Sequence, residues 1–343
     1  MKLTIHEFDL PLKHTFTISR ESTSIQKTMI VELADGELRG YGEATTNPYY
    51  QQTMQTMSAC LLDTRDRIEN ASWNSPEELW EQVAPRFASS PFALCALDQA
   101  AHDLWGKQLG KPVYELWGQS VDNIPVSNFT IGIDTIDVML QKLAETPGWP
   151  IYKIKLGTEH DLEIIRRLRE QTAAVFRVDA NCGWTADQAI EYSHTLKELG
   201  VEFIEQPIPA GQWEQQQRLF ELSALPLVAD ESCILPTDVA ACEGYFHGIN
   251  IKLVKCGGLT PARRMIQDAQ NRNLRLMVGC MTESTVGISA IAQLLPYLDY
   301  VDMDGAALLA RDIASGVFVD HGKCQYPSVP GCGVTLQKPN RIA

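Results

Sequence analysis

From residue 128 onward the sequence repeats one pattern: a short apolar run, a turn, and a longer stretch with helical spacing. The runs are NFTIGI, YKIKLG, FRVDAN, FIEQP, LVADES, INIKLVK, RLMVGC and YVDMDG, starting at residues 128, 152, 176, 203, 227, 249, 275 and 300. Successive starts lie 22 to 27 residues apart. A strand that returns parallel to its neighbour needs a crossover of roughly a dozen residues or more, in practice a helix. Eight such units at one period are what closes a parallel sheet into a (β/α)₈ barrel of the TIM type. A doubly wound open sheet is the competing architecture, but the even spacing of eight units favours closure.

The first third of the chain reads differently. MKLTIHEFDLPL, SIQKTMIVELADG and LRGYGEA are turn-bounded strand segments, with Asp35-Gly36 as a hairpin turn. Residues 53–117 read as helices; PFALCALDQAAHDLWGKQLG places Leu94, Leu97, Ala101, Leu104 and Trp105 at helical spacing. Strands followed by helices make an α+β unit. After the eighth run only a short helical stretch and the Pro/Gly-rich CQYPSVPGCGV remain. The expected division is a capping domain at 1–117, the barrel at 118–310, and a segment at 311–343 that packs back on the cap.

Composition narrows the function. The formal net charge is −14, which argues against a nucleic-acid partner, because phosphate binding wants a basic face. No stretch reaches the roughly 18 apolar residues of a membrane helix. The start carries Glu7 and Asp9 and no long apolar run, so it is not a signal peptide. Nine scattered cysteines with no C-x-x-C pair fit reduced thiols in a cytoplasmic protein. The charges at the strand ends point instead to a small-molecule substrate.

Catalytic groups of such barrels sit at the C-terminal ends of the strands, and those ends are charged here. The second run carries Lys153 and Lys155, two apart and so on one face; a closed barrel has no exposed edge on which to solvate them. Runs three, four and five end in Asp179, Glu205 and Asp230. Three carboxylates on adjacent strands, about 4.8 Å apart, repel by roughly 3 to 4 kcal/mol per pair at an effective dielectric near 20. Either each acid has its own base, or a cation neutralises them. All-oxygen ligands select Mg²⁺ or Mn²⁺. Asn181 and Glu231 lie beside these positions as supporting residues or helix-entry residues. The sixth run carries Lys252 on the face of Asn250, opposite Ile249, Ile251 and Leu253; Lys255 reads as a solvated loop residue. The eighth ends in Asp302 and Asp304, again one face, with a solvated turn as the alternative.

In a ring of eight, strands two and six oppose each other, as do four and eight. A metal then lies on one side and an acidic pair on the other, with two lysines facing across the gap. A substrate carboxylate on the metal puts its α-carbon between the lysines, and a cationic group reaches Asp302 and Asp304. That suits proton abstraction beside a carboxylate through an enediolate, which needs a metal to bear its charge. A lysine base near neutrality needs its pKa lowered from about 10.4 to roughly 7 to 8, a shift that neighbouring cations favour. One lysine on each face gives inversion, a racemisation or epimerisation.

With these residues the sequence resembles the enolase superfamily, muconate-lactonising subgroup, over essentially its whole length. ALDQAAHDLWGK (96–107), YKIKLG, RVDANCGW, EQP, ADES, NIKLVKCGG and PGCGV carry the resemblance. The Asp-x-Asp of VDMDG resembles that of the dipeptide epimerases, L-Ala-D/L-Glu epimerases among them. The resemblance implies Lys155 and Lys252 as the acid/base pair, Lys153 assisting the carboxylate, Asp179, Glu205 and Asp230 on Mg²⁺ (or Mn²⁺), and Asp302 and Asp304 on the substrate's α-ammonium. It also implies Arg20, in the first mobile loop, against the substrate side chain, with a solvated loop residue as the alternative. Tyr49 and Tyr50 read as lid residues near the entrance, with core packing as the alternative. A role in murein (peptidoglycan) recycling and a homo-oligomeric assembly are further implications. Same-fold alternatives are o-succinylbenzoate synthase, muconate cycloisomerase and N-acylamino-acid racemase. Their substrates have no free ammonium and give no reason for Asp302 and Asp304.

Overall fold

The computed structural model describes residues 1–19 and 21–337. The first unit is built on three antiparallel strands in the order β1-β2-β3: β1 (Lys2–Ile18), β2 (Glu21–Asp35) and β3 (Leu38–Thr45). Asp35 pairs with Leu38, so Gly36 and Glu37 form a two-residue loop. Gly36 takes φ +56°, as the first loop position of a type II′ turn requires. Three helices follow, α1 (Met54–Glu69), α2 (Pro76–Val83) and α3 (Pro91–Leu109).

Helix α3 joins the parts of the molecule. Pro91 opens it and Gly110, at φ +70°, ends it, because proline loses no bond in the first turn and glycine accepts the left-handed exit. The helix is buried on most sides, polar residues included. Gln99 Oε1 accepts from Glu43 N of β3 at 2.9 Å, and Asp98 Oδ2 from Thr260 N of the barrel at 2.9 Å. Asp103 accepts from Tyr41 N at 2.9 Å and from Cys332 N, near the C-terminus, at 2.8 Å. β3 runs so close to α3 that a Cβ on Gly42 would fall on the Ala96 carbonyl.

The second unit is a sheet of eight parallel strands in chain order. They are β4 (Phe129–Ile131), β5 (Ile151–Lys155), β6 (Val175–Asp179), β7 (Val201–Glu205), β8 (Leu227–Ala229), β9 (Gly248–Ile251), β10 (Arg275–Gly279) and β11 (Tyr300–Asp302). Each overlaps one of the eight apolar runs. Ser127 bridges to Val301, and Asn128 N donates to Val301 O at 3.4 Å. The first and last strands thus meet, and the sheet rolls into a nearly closed barrel. Helices cover most crossovers, but between β8 and β9 the chain makes only the short turns Pro236–Asp238 and Val239–Cys242.

One layer below the mouth the barrel is plugged. Phe203, Val228 and Met277 form an apolar cluster against which Tyr300 packs. Each lies two residues before a mouth position and so shares its face. The Arg177 guanidinium stacks 5.3 Å from the Phe203 ring and 5.1 Å from that of Tyr300, and pairs with Glu202 at 2.8 Å. The open end is therefore the C-terminal one.

After β11 the chain turns through Gly305–Leu308, and Ala314–Ser315 pairs antiparallel with Thr335–Leu336. Lys107 Nζ donates to Val334 O at 3.1 Å and Gly331 N to Lys111 O at 3.0 Å, which lays the tail along the end of α3. Among the described residues no helix is long and apolar enough to cross a membrane.

Candidate active site

Strand register assembles the site. Lys155 pairs with Asp179 across β5 and β6, and Asp179 with Glu205 across β6 and β7. Glu205 pairs with Val228, so Asp230, two residues on, leaves β8 on the same face. One oxygen each from Asp179, Glu205 and Asp230 lies within 4.8 Å of the others, and all three residues are buried. Burial at that spacing is costly unless positive charge is near.

Four lysines supply part of it. Lys155 Nζ is 2.6 Å from Asp179 Oδ2, and Lys252 Nζ 2.8 Å from Asp230 Oδ2. Lys153 Nζ lies 2.7 Å from Glu205 Oε2, 3.1 Å from Asp179 Oδ2 and 2.7 Å from Asp302 Oδ2. Each metal-ligand candidate does contact a base, as the alternative reading of the sequence has it. Among the described residues the balance is still negative: Asp179, Glu205, Asp230, Asp302 and Asp304 face Lys153, Lys155, Lys252 and Lys255. Burial, and then Asp179, push Glu205 up to about 7. Burial, and then Asp302, push Asp304 up to about 7.

The donor set fits a hard divalent ion: three carboxylates, no sulfur or nitrogen, converging on one point. Each carboxylate is also held from behind. Asn181 N donates to Asp179 Oδ1 at 2.9 Å, Asn250 Nδ2 to Glu205 Oε1 at 2.8 Å, and Lys255 Nζ to Asp230 Oδ1 at 2.5 Å.

One expectation from the sequence is corrected here. Lys255 is not a solvated loop residue: it is 1% exposed, and its ammonium also donates to Asp230 O at 2.6 Å and Cys233 O at 3.3 Å. Lys252 caps the one-turn helix Leu253–Cys256, and Gly257, at φ +95°, ends it. That turn brings both lysines onto Asp230. Burial opposes the Lys252 charge, and Lys153 pushes its pKa down, the direction expected of a neighbouring cation, but Asp230, Glu205 and Asp179 outweigh both and hold the pKa above the ordinary lysine range. The neighbouring carboxylates outnumber the neighbouring ammonium, so the side chains alone do not make Lys252 a base; positive charge held by the acids would push the other way.

The acidic pair sits at the exit of β11. Asp302 Oδ1 accepts from Asn128 Nδ2 at 2.7 Å and Thr130 Oγ1 at 3.4 Å, while Oδ2 takes the Lys153 ammonium. Burial pushes Asp302 up, but Lys153 and Lys155 prevail and hold it below the usual carboxylate range. Asp304 Oδ2 accepts from Thr130 N at 2.6 Å and Oδ1 from Thr130 Oγ1 at 3.2 Å. Both of these donors are neutral.

A cavity of about 310 Å³ opens between barrel mouth and cap, and Lys155, Lys252, Asp230, Asp302, Asp304 and Asn181 line it. Lys153 is fully buried beneath these residues. Glu231 is buried beside Asp230. Tyr50 lines the cavity from the cap, with its ring 4.9 Å from Tyr49 and 5.7 Å from Phe92, a core residue of α3. Tyr49 is 47% exposed and outside the cavity wall. Arg20 lies outside the described residues.

Other residues that shape the site escaped the sequence reading. Asn128 and Thr130 tie β4 to the acidic pair. Gln206, at φ +35°, accepts from Asp230 N and Ser232 N, both at 3.0 Å, and so fixes the turn that carries Asp230. Its place after Glu205 in FIEQP was the one available signal. Glu283, after β10, is 2% exposed, and its Oε2 has no hydrogen-bond partner among the described residues. Burial, and then Glu43, push it up to about 8.

Comparison with known proteins agrees with this geometry. Residues 1–118 match the N-terminal domain of mandelate racemase / muconate lactonizing enzyme, and residues 137–340 match the enolase C-terminal domain-like family. A protein of Flavobacterium johnsoniae named L-Ala-D/L-amino acid epimerase is 55% identical over 98% of this chain and 100% of its own. One of the same name from Maribacter sp. is 53% identical over 98% and 100%. The dipeptide epimerase of Methylococcus capsulatus, solved with Mg and L-Arg-D-Lys, is 34% identical, covers 97% of this chain and 99% of its own, and superposes with a TM-score of 0.88. That of Cytophaga hutchinsonii, solved with Mg and D-Ala-L-Val, is 25% identical over 99% and 97%, with a TM-score of 0.93.

Proposed function

This chain belongs to the mandelate racemase / muconate lactonizing enzyme family of the enolase superfamily and is an epimerase, and from that premise we propose that it inverts the α-carbon of the second residue of a dipeptide. The first residue is L-Ala, as the names of the Flavobacterium and Maribacter relatives suggest, and L-Ala-L/D-Glu is one candidate pair. Mg²⁺ is the ion, with Mn²⁺ as a substitute, held by Asp179, Glu205 and Asp230. Murein-peptide recycling in the cytoplasm is the setting this activity would serve.

One observation carries the reading: two lysines on strands four apart in the ring open into one cavity, between a three-carboxylate cluster and a second acidic pair. An ion held by Asp179, Glu205 and Asp230 would supply positive charge to stabilise an enediolate. Lys155 Nζ and Lys252 Nζ hold and move protons at the α-carbon; one withdraws from one face while the other delivers to the opposite face, and the centre inverts. Lys153, between Glu205 and Asp302, offsets charge on both acidic groups. Asp302 and Asp304 receive the free α-ammonium. Asp304 takes its described bonds from neutral donors only, so a substrate cation fits it, which acyl-blocked or succinyl substrates do not offer. Tyr50 and the start of β2, residues 21–27, border the cavity on the cap side.

The test is isotope entry. Wild-type protein with Mg²⁺ in D₂O is offered a panel of L-Ala-L-Xaa dipeptides, and mass spectrometry follows deuterium at the second α-carbon. One deuterium per inverted centre is expected for at least one Xaa. A panel in which no member exchanges contradicts the proposal.

A further inference from the structure

Beyond the acidic pair lies a second compartment of about 160 Å³. Phe16, Thr130 and Leu308 line both it and the catalytic cavity, so these three residues form the partition between them. Thr130 is the residue whose amide and hydroxyl hold Asp304, and whose hydroxyl also reaches Asp302. The partition therefore stands next to the place assigned above to the α-ammonium, where the side chain of the first residue must go.

The partition is built by packing. Leu308 ends the turn Gly305–Leu308, which follows Asp304 directly; Ala307 N donates to Asp304 O at 2.8 Å, and Lys13 Nζ of β1 holds Ala307 O at 2.9 Å. Phe16, also of β1, stands over Gly132: a Cβ there would lie 3.2 Å from Phe16 Cδ2. Behind the two side chains, Phe129 and Ala307 add apolar wall. Of the charges around the compartment, Lys142 pairs with Asp134 at 3.1 Å and His14 with Glu145 at 2.8 Å, while the Lys13 ammonium is turned onto the Ala307 carbonyl. Such a space suits an uncharged side chain larger than methyl.

We propose that Leu308 and Phe16 set the size limit on the first residue of the dipeptide, and that the compartment behind them is ready-made room for a larger apolar side chain. The inference rests on the dipeptide reading of the catalytic cavity. It assigns specificity at the first position to a partition between cap and barrel, where a side chain is excluded by volume and not by charge.

The experiment compares kcat/KM for L-Ala-L-Xaa and L-Leu-L-Xaa, with Xaa the best second residue of the panel above. Wild type should favour the L-Ala substrate by about tenfold or more, the scale of discrimination that a few methylenes support. Leu308→Ala should raise kcat/KM on L-Leu-L-Xaa at least tenfold, mainly through KM. Phe16→Ala, from the other wall, should move the same ratio the same way. Adding Ala307→Phe to Leu308→Ala fills the compartment and should cancel the gain. Three results would overturn the inference: a wild type that already accepts L-Leu as well as L-Ala, partition variants with wild-type melting and an unmoved ratio, or a gain that Ala307→Phe does not cancel. A wild type that exchanges neither dipeptide would instead remove the underlying reading.

Discussion

Replacing Asp304 by Asn takes away the charge that its carboxyl carries above about pH 7 and keeps the shape of the side chain. Its carbonyl oxygen can still accept from Thr130 N, and its amide nitrogen can donate to Thr130 Oγ1, so both described contacts survive in one amide orientation. The fold should hold. What is lost is the attraction of a buried carboxylate for the substrate ammonium. Breaking a close, desolvated charge pair costs about 2 to 5 kcal/mol. At about 1.4 kcal/mol per factor of ten, kcat/KM should fall roughly 30- to 5,000-fold. The assay measures initial rates by chiral chromatography at saturating Mg²⁺, on the free dipeptide and on its N-acetyl derivative. The derivative has no ammonium, so wild type and Asp304→Asn should turn it over at the same low rate. A variant within twofold of wild type on the free dipeptide would refute the ammonium role. An equal loss on the acetylated compound would show that Asp304 acts on the enzyme and not on the substrate's charge.

Glu283 gives a pH prediction. Its carboxyl sits at about 8 against an ordinary 4.5, so between those values the folded protein holds a proton that the unfolded chain has released. Stability should fall as pH rises through that window, by up to about 1.4 kcal/mol per pH unit; Glu283→Gln should flatten the decline in melting temperature between pH 5 and 8, and parallel curves would count against it. Lys255→Met leaves the buried Asp230 with Lys252 as its one remaining ammonium among the described residues and should cost about 1.5 to 3 kcal/mol, the scale of a hydrogen bond to a charged group, with a weaker Mg²⁺ affinity by calorimetry; wild-type melting and affinity would contradict the positioning role. Mg²⁺ at about 100 times its Kd should stabilise the wild type by about 2.7 kcal/mol, EDTA should stop exchange, and Glu205→Gln should abolish the Mg²⁺-dependent shift. Retention of that shift would place the ion elsewhere.

The barrel was legible because each strand carries its own apolar run and each run is followed by its own crossover; both signals are local. The faces of Lys153 and Lys155, and the strand ends at Asp179 and Glu205, were legible for the same reason, since alternation along a strand is a local rule. Lys255 was misread because its burial depends on a turn of four residues closed by Gly257 and on a bond to Asp230, 25 positions away. Asn128 and Thr130 look like ordinary strand residues until barrel closure brings β4 against β11, more than 170 positions later in the chain. The balance of charges on Lys252 was not legible for a related reason: the sequence shows which charges share a mouth, but which of them prevail depends on distances that only the packed structure sets.

The central claim is that two amines address one carbon from opposite sides. Lys155→Ala and Lys252→Ala, each incubated in D₂O with one epimer of the dipeptide at a time, test it directly. Each variant should still wash out the α-proton of one epimer while losing exchange of the other by about 10²- to 10⁴-fold, and the two variants should spare opposite epimers. Either variant exchanging both epimers at wild-type rates would contradict the account.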